Sequence, residues 1–290
     1  MEIYDGHIHT RGVKSDPPEV FHEKALSSGV CGGTVFSVHP ARYRPFPDFD
    51  QRAKSRIDAV MEFTSRAPGF LPYFFADLSE PDIIDQIEYA RKAGIRGFKV
   101  ICDGRYSAAD RIDAVAAMAE TGLPVMFHSG IDNVPHVSSK NNVPSAFEPL
   151  LHVKGLRFSL AHIGWPWCDD FVGTFAKFEM ARDFTDFGPV AEMFADVTPG
   201  TPGIYREEAM RKLYLAGFHA KDRTFWGTDQ IVNDYAPSWT KWLFERDTAI
   251  LAGIEREAKA ASEAQTYWLP KLENLAESLF STAWRRFNAI

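Results

Sequence analysis

Two histidines one residue apart, in Asp5-Gly6-His7-Ile8-His9-Thr10, are the residues of this 290-residue chain whose spacing speaks most directly to chemistry. They close an apolar run that reads as the first strand. Side chains on a strand alternate between faces, so His7 and His9 point the same way, and two imidazoles on one face can bind one ion. The pair is half of a metal site. Further ligands must come from elsewhere, and the ends of later apolar runs offer them. His128 closes the run 123–127, His162 closes 158–161, and Asp229 follows 225–228. Taken singly, each has an ordinary explanation: a strand-end histidine bonded to backbone for His128 and His162, and a helix N-cap for Asp229. Their common position at strand ends favours a shared purpose. His22, His136, His152 and His219 fall in helical or loop contexts and read as surface or packing residues. His39 is set aside with them, because Pro40 follows it at once, with a place at a pocket mouth as its alternative.

The elements that must position these residues follow from the hydrophobic pattern. Strand-like runs recur at 3–9, 33–39, 70–78, 97–102, 123–128, 156–162, 193–197 and 224–229, separated by segments of helical periodicity. After the third run, Ser79 and Pro81 can start a helix with Ile83, Ile84, Ile87 and Ala90 on its apolar face and Gly94 as its stop. After the fourth, Ser107 precedes Ile112, Val115, Ala116 and Ala119, with Gly122 ending the helix. Eight strand-helix units in about 250 residues predict an α/β chain folded as a (β/α)8 TIM barrel, a single domain spanning 1–290. All strands of such a barrel point one way, so every strand end opens on one face. His7, His9, His128, His162 and Asp229 should converge there.

The His-x-His on strand 1, the single histidines on strands 5 and 6, and the aspartate of Gly227-Thr228-Asp229 on strand 8 together resemble the amidohydrolase superfamily. Two stretches, 123–130 ending in His128-Ser129-Gly130 and Ala161-His162-Ile163-Gly164-Trp165-Pro166, look like its amidohydrolase-related branch, which contains aminocarboxymuconate-semialdehyde decarboxylase and many metal-dependent hydrolases. The resemblance covers residues 1 to about 230, with the final helical segment 274–287 also similar. It implies a distorted TIM barrel with a divalent metal at its C-terminal mouth. Carried over by position, His7, His9, His128 and Asp229 would hold one Zn²⁺, with Mn²⁺ or another ion as the alternative, and His162 would lie just outside them or beside a bound water. Imidazole and carboxylate independently suit Zn²⁺ or a similar first-row ion. The resemblance makes Asp229 a proton acceptor and His162 the group that orients substrate or protonates a leaving group. The implied activity is hydrolysis of an ester, lactone or amide bond of a small carboxylated molecule. A non-oxidative decarboxylase would use the same ligands and is the alternative, and a barrel that binds without turnover is a third.

Lys99, on strand 4 in Gly97-Phe98-Lys99-Val100, stands where two-metal members of the superfamily carry a carboxylated, bridging lysine; the reading preferred here is one metal, with Lys99 capping the barrel or touching substrate. Arg11, Arg42, Arg44 and Arg105, with Tyr106, fall in loops on the predicted active face, where an arginine can clamp a substrate carboxylate bidentately or merely be solvated. Trp165 and Trp167 flank Pro166 after strand 6 and either wall a pocket or pack the loop.

With 45% hydrophobic residues the chain can bury a large core, and a barrel accounts for nearly all of it. A net charge of −7 with no basic stripe argues against nucleic acid as a partner. Three cysteines at unrelated spacings form neither a disulfide framework nor a cysteine-rich zinc module. Neither a signal peptide nor an apolar run of ~18 residues is visible, so a cytoplasmic protein with a small-molecule substrate and no membrane association is expected. Residues 231–267 read as one or two extra helices after strand 8 that cover the barrel end or meet a second subunit in a homodimer. Residues 130–145, with Pro135, Asn141, Asn142 and Pro144, read as a long flexible loop over the site.

Overall fold

Each of the eight apolar runs forms a strand, and each strand pairs in parallel with its neighbour in chain order. In this computed structural model, which describes every residue except 12–14, 133, 135–136, 185–187 and 265–270, the strands are β1 Ile3–His9, β2 Val30–Phe36, β3 Phe70–Ala76, β4 Gly97–Val100, β5 Val125–Phe127, β6 Arg157–Leu160, β7 Glu192–Val197 and β8 Thr224–Trp226. The helices between them are α1 Pro18–Ser27, α2 Ala53–Ser65, α3 Ile83–Ala93, α4 Ile112–Glu120, the short α5 Ser139–Asn142, α6 Cys168–Asp183 and α7 Gly203–Leu215. A ninth strand, β9 Gln230–Ile231, is too short to leave a sequence signal. It follows β8 after Gly227, Thr228 and Asp229 and pairs with β1, Ile8 opposite Gln230 and His9 opposite Ile231. The sheet runs β8-β7-β6-β5-β4-β3-β2-β1-β9, so its two ends meet through one stretch of chain in a TIM-barrel-like α/β fold.

The helix signals act as expected at their ends. Gly94 takes a left-handed φ of 96° and its N–H closes α3 on the carbonyls of Ala90 and Arg91. Ile83, Ile87 and Ala90 are buried against the sheet, whereas Ile84 and Ile112, expected on apolar faces, point to solvent. After β9 a long helix, α8 Pro237–Glu263, covers the barrel wall with Leu243, Ile250, Leu251 and Ile254 inward. The chain ends in helical turns, α9 Leu275–Glu277 and α10 Ala283–Asn288, joined by a wider turn over Ser278–Thr282.

That last segment plugs the end of the barrel opposite the strand C-termini. Trp284 stacks on Tyr4 of β1 with ring centroids 4.3 Å apart, and its indole N–H donates to Thr34 Oγ1 at 3.0 Å. Phe287 packs on Phe194 and Phe225, and the Tyr73 hydroxyl donates to Asn288 Oδ1 at 2.6 Å. With one end filled by aromatics, the strand C-termini are left to form the mouth.

The sequence expectation for the loop 130–145 changes. The segment 130–145 is only partly irregular: it contains α5 and leads into a 3-10 stretch Pro144–His152, while Pro135 lies outside the described residues. Asn141 and Asn142 are buried, the side-chain amide of Asn142 donating to the Cys102 carbonyl at 2.7 Å and that of Asn141 to the Tyr106 carbonyl at 3.1 Å. Those residues cap backbone that would otherwise be buried unpaired. Among the described residues no helix is long and apolar enough to cross a membrane.

Candidate metal centre

Alternation along β1 puts His7 and His9 on one face at the mouth, and the kink after β8 brings Asp229 to them. Asp229 Oδ1 lies 3.4 Å from His7 Nε2 and 3.2 Å from His9 Nε2, and one ligand atom from each of the three residues falls within 4.8 Å of the others. Asp229 reaches this place with a left-handed φ of 57°, its N–H donating to the His7 carbonyl at 2.9 Å. Gly227 makes the approach possible, since a Cβ there would sit 2.7 Å from that of His7.

A buried carboxylate holds the kink. Asp5, on β1 two residues before His7, accepts the Thr228 N–H at 2.9 Å, the Thr228 hydroxyl at 2.6 Å, the Tyr235 hydroxyl at 3.2 Å and the His7 N–H at 3.2 Å. Burial pushes its carboxyl up to about 7 against these hydrogen bonds, which favour the anion.

A second buried carboxylate, Asp196 on β7, meets His7 from behind. His7 Nδ1 and Asp196 Oδ2 are 2.6 Å apart and both side chains are buried. Burial first, then the nearby Lys99, holds the His7 imidazole well below its usual pKa, so this contact is a neutral ring donating to a carboxylate rather than an ion pair. The assignment leaves the Nε2 lone pair on the Asp229 side. Burial raises Asp196 to about 6, opposed by His162 and Lys99. Asp229 behaves differently: burial would raise it, but His7, the hydrogen bond to His9 and His162 hold it far below the ordinary carboxylate range.

His162 lies just past β6 with φ 63°, its ring 5.4 Å from His7 and 5.1 Å from His128. Its Nδ1 is hydrogen-bonded to the Thr198 hydroxyl, and its carbonyl accepts from Thr201. Burial lowers the imidazole to about 4. His128, one residue beyond β5, is buried beside His162 with Nε2 unpartnered, and burial followed by His162 and Lys99 keeps it neutral. It stands outside the close set of His7, His9 and Asp229. Lys99 on β4 is 1% exposed, its Nζ 5.2 Å above the Phe36 ring with no hydrogen-bond partner, and burial lowers it to about 8.

His39, set aside in the sequence, belongs to the mouth. Its ring stacks on His9 at 5.4 Å and on Tyr43 at 5.3 Å, beside Phe75, so flat rings wall one side of the site. Arg11, Arg105, Tyr106 and Trp165 are engaged with groups of the protein itself. Arg105 is engaged by Asp103, with Nε 2.7 Å from Oδ2, and by Asp77 at 3.4 Å. Tyr106 is buried, donating to the Ile101 carbonyl at 3.0 Å and accepting from the Leu78 N–H, so it supports a loop. Arg11 pairs with Asp234 at 3.6 Å on the rim, and Trp165 lies against Tyr205 with ring centroids 6.0 Å apart. Asp5 and Asp196 are the residues that sequence reasoning missed. Their one signal is an acid inside an otherwise apolar strand.

A family model described as amidohydrolase matches residues 33–265. No curated protein matches the chain significantly in sequence. Among solved structures, a dihydroorotase from Campylobacter jejuni is similar at a TM-score of 0.55 and 12% identity, over 100% of this chain and 83% of its own. A protein from Lactobacillus casei described as a metal-dependent hydrolase gives 0.55 and 10%, over 94% and 77%. A D-hydantoinase from a Bacillus species gives 0.50 and 11%, over 78% and 57%. At these identities the structures speak for the fold.

Proposed function

The chain belongs to the amidohydrolase family, and from that membership we propose a hydrolase, dependent on one divalent ion, that cleaves an ester, lactone or amide bond of a small carboxylated molecule. The observation that carries the reading is the convergence of His7, His9 and Asp229 from opposite ends of the sequence to within 4.8 Å. Their chemistry fits a cation: two imidazoles and a carboxylate suit Zn²⁺, and His7 already has its other nitrogen committed to Asp196. His7, His9 and Asp229 would hold the ion, and the unpartnered Nε2 of His128 is the further donor.

When bound, the ion supplies Lewis acidity, polarising a carbonyl oxygen and lowering the pKa of water. The chain's own residues do the rest. Asp229, beside both imidazoles at the mouth, would take the proton of the attacking water on its carboxylate. His162 is neutral near pH 7, and with Nδ1 hydrogen-bonded to the Thr198 hydroxyl its Nε2 is the nitrogen left to meet the substrate. The rings of Phe36, His39 and Phe75 exclude water from the side of the site that faces β2 and β3.

The test is turnover of a panel of carboxylated esters, lactones and amides in isotopically labelled water, before and after chelation. The expected result is label in the product acid, loss of activity on chelation, and recovery on adding zinc. Release of carbon dioxide without incorporation of label overturns hydrolysis in favour of decarboxylation.

A further inference from the structure

The ammonium of Lys99 is a buried cation 5.2 Å above the Phe36 ring, without a hydrogen-bond partner among the described residues. It acts electrostatically on His7, His39, His128 and His162, which places it among the groups from β1, β2, β5 and β6. The carboxylates that attract it are Asp196, Asp229 and Asp132. Each is engaged elsewhere: Asp196 by His7, Asp229 by His7 and His9, and Asp132 by the Tyr43 hydroxyl at 3.0 Å. An ammonium carries three donors, and native structures rarely bury so many unmet.

Of the arginines at the mouth, Arg42 bonds the Ser79 hydroxyl and Arg44 lies exposed over Phe46, while two are held by acids. Arg105 is held by Asp103, and Arg11 by Asp234. A divalent ion together with Lys99 would balance the charge of Asp196, Asp229 and Asp132, and the unmet donors of Lys99 remain for an anion from outside. Asp229, 32% exposed, marks the opening to solvent. We propose that Lys99 is the anion-binding residue of this site and takes the carboxylate of the substrate directly on its ammonium. This rests on the reading of the site as a metal-dependent hydrolase centre. It differs from a bridging role, in which a carboxylated Lys99 would be an anion holding a second ion.

The test measures benzoate and its neutral analogue benzamide, probes suited to walls of Phe36, Phe75 and His39, by calorimetry on zinc-loaded and metal-free protein. The variants are Lys99→Met and Lys99→Gln, both checked by circular dichroism and thermal melting. Benzoate affinity should fall at least roughly tenfold in both variants, with benzamide unchanged and the melting temperature not lowered. Native protein that binds benzoate no better than benzamide overturns the proposal, as does equal benzoate affinity in Lys99→Met. So does a native chain whose intact mass carries an added carboxyl group and which loses an ion on Lys99→Met. If the native protein takes up no zinc yet benzoate still depends on Lys99, the hydrolase reading falls and the anion site stands. If zinc binds and benzoate ignores Lys99, the anion site alone falls.

Discussion

Removing the carboxylate behind His7 should weaken metal binding without touching any proposed ligand. Asp196 Oδ2 and His7 Nδ1 are 2.6 Å apart, both side chains buried, so the hydrogen bond is short, charge-assisted and shielded from water. A hydrogen bond to a charged group contributes about 1.5–3 kcal/mol. Each 1.4 kcal/mol or so is a factor of ten, and partners of this kind typically change metal affinity ~10–100-fold. Asp196→Asn keeps an acceptor of the same shape but loses the charge, so its zinc affinity should fall about tenfold. Asp196→Ala leaves Nδ1 unpaired and the ring free to turn, and should cost about a hundredfold. The assay is zinc titration against a competing chromophoric chelator, with circular dichroism to verify folding. Folded variants that bind zinc within about twofold of the parent would refute the argument that Asp196 sets the donor nitrogen of His7.

Asp5→Asn turns an acceptor of four hydrogen bonds into a poorer one and loosens the kink that carries Asp229. It should lower stability by about 1–3 kcal/mol in denaturant titration and weaken zinc binding. Arg206→Met breaks a buried bidentate pair with Asp247, at 2.7 and 2.6 Å, that also engages the Trp226 indole and ties α7 and α8 to β8. A loss of about 3–5 kcal/mol is expected by denaturant titration, with zinc stoichiometry unchanged. Lys99, lowered by burial to about 8 from 10.5, binds fewer protons folded than unfolded between those values. Metal-free protein should therefore become more stable as pH rises from 8 to 10.5, by at most ~1.4 kcal/mol per unit, and Lys99→Met should remove that slope in pH-dependent unfolding.

The eight strands show in the sequence because apolar runs end at turn residues, and the convergence of His7, His9 and Asp229 follows once the strands are known to be parallel. The start of β2 is misplaced by three residues because Gly32 and Gly33 interrupt its pattern. They are there for the close approach of neighbouring backbone, a Cβ at Gly33 falling 1.9 Å from the Asp5 carbonyl oxygen. Arg105 is visible as a candidate clamp, but its capture by Asp103 two positions earlier depends on loop geometry. Asp196 and His39 depend on which strands and loops become neighbours across the mouth, and no local pattern carries that. Asn141 and Asn142 carry a loop signature, yet they are buried because Cys102, Asp103 and Tyr106 present carbonyls that need donors.

The central claim is that His7, His9 and Asp229 together hold one cation. Crystals of the zinc-loaded protein, measured on both sides of the zinc absorption edge, test it most directly. One strong anomalous peak is expected, bonded to Nε2 of His7, Nε2 of His9 and the Asp229 carboxylate, and absent from His7→Ala crystals grown alike. A peak elsewhere, or none at these three residues under excess zinc, would contradict it.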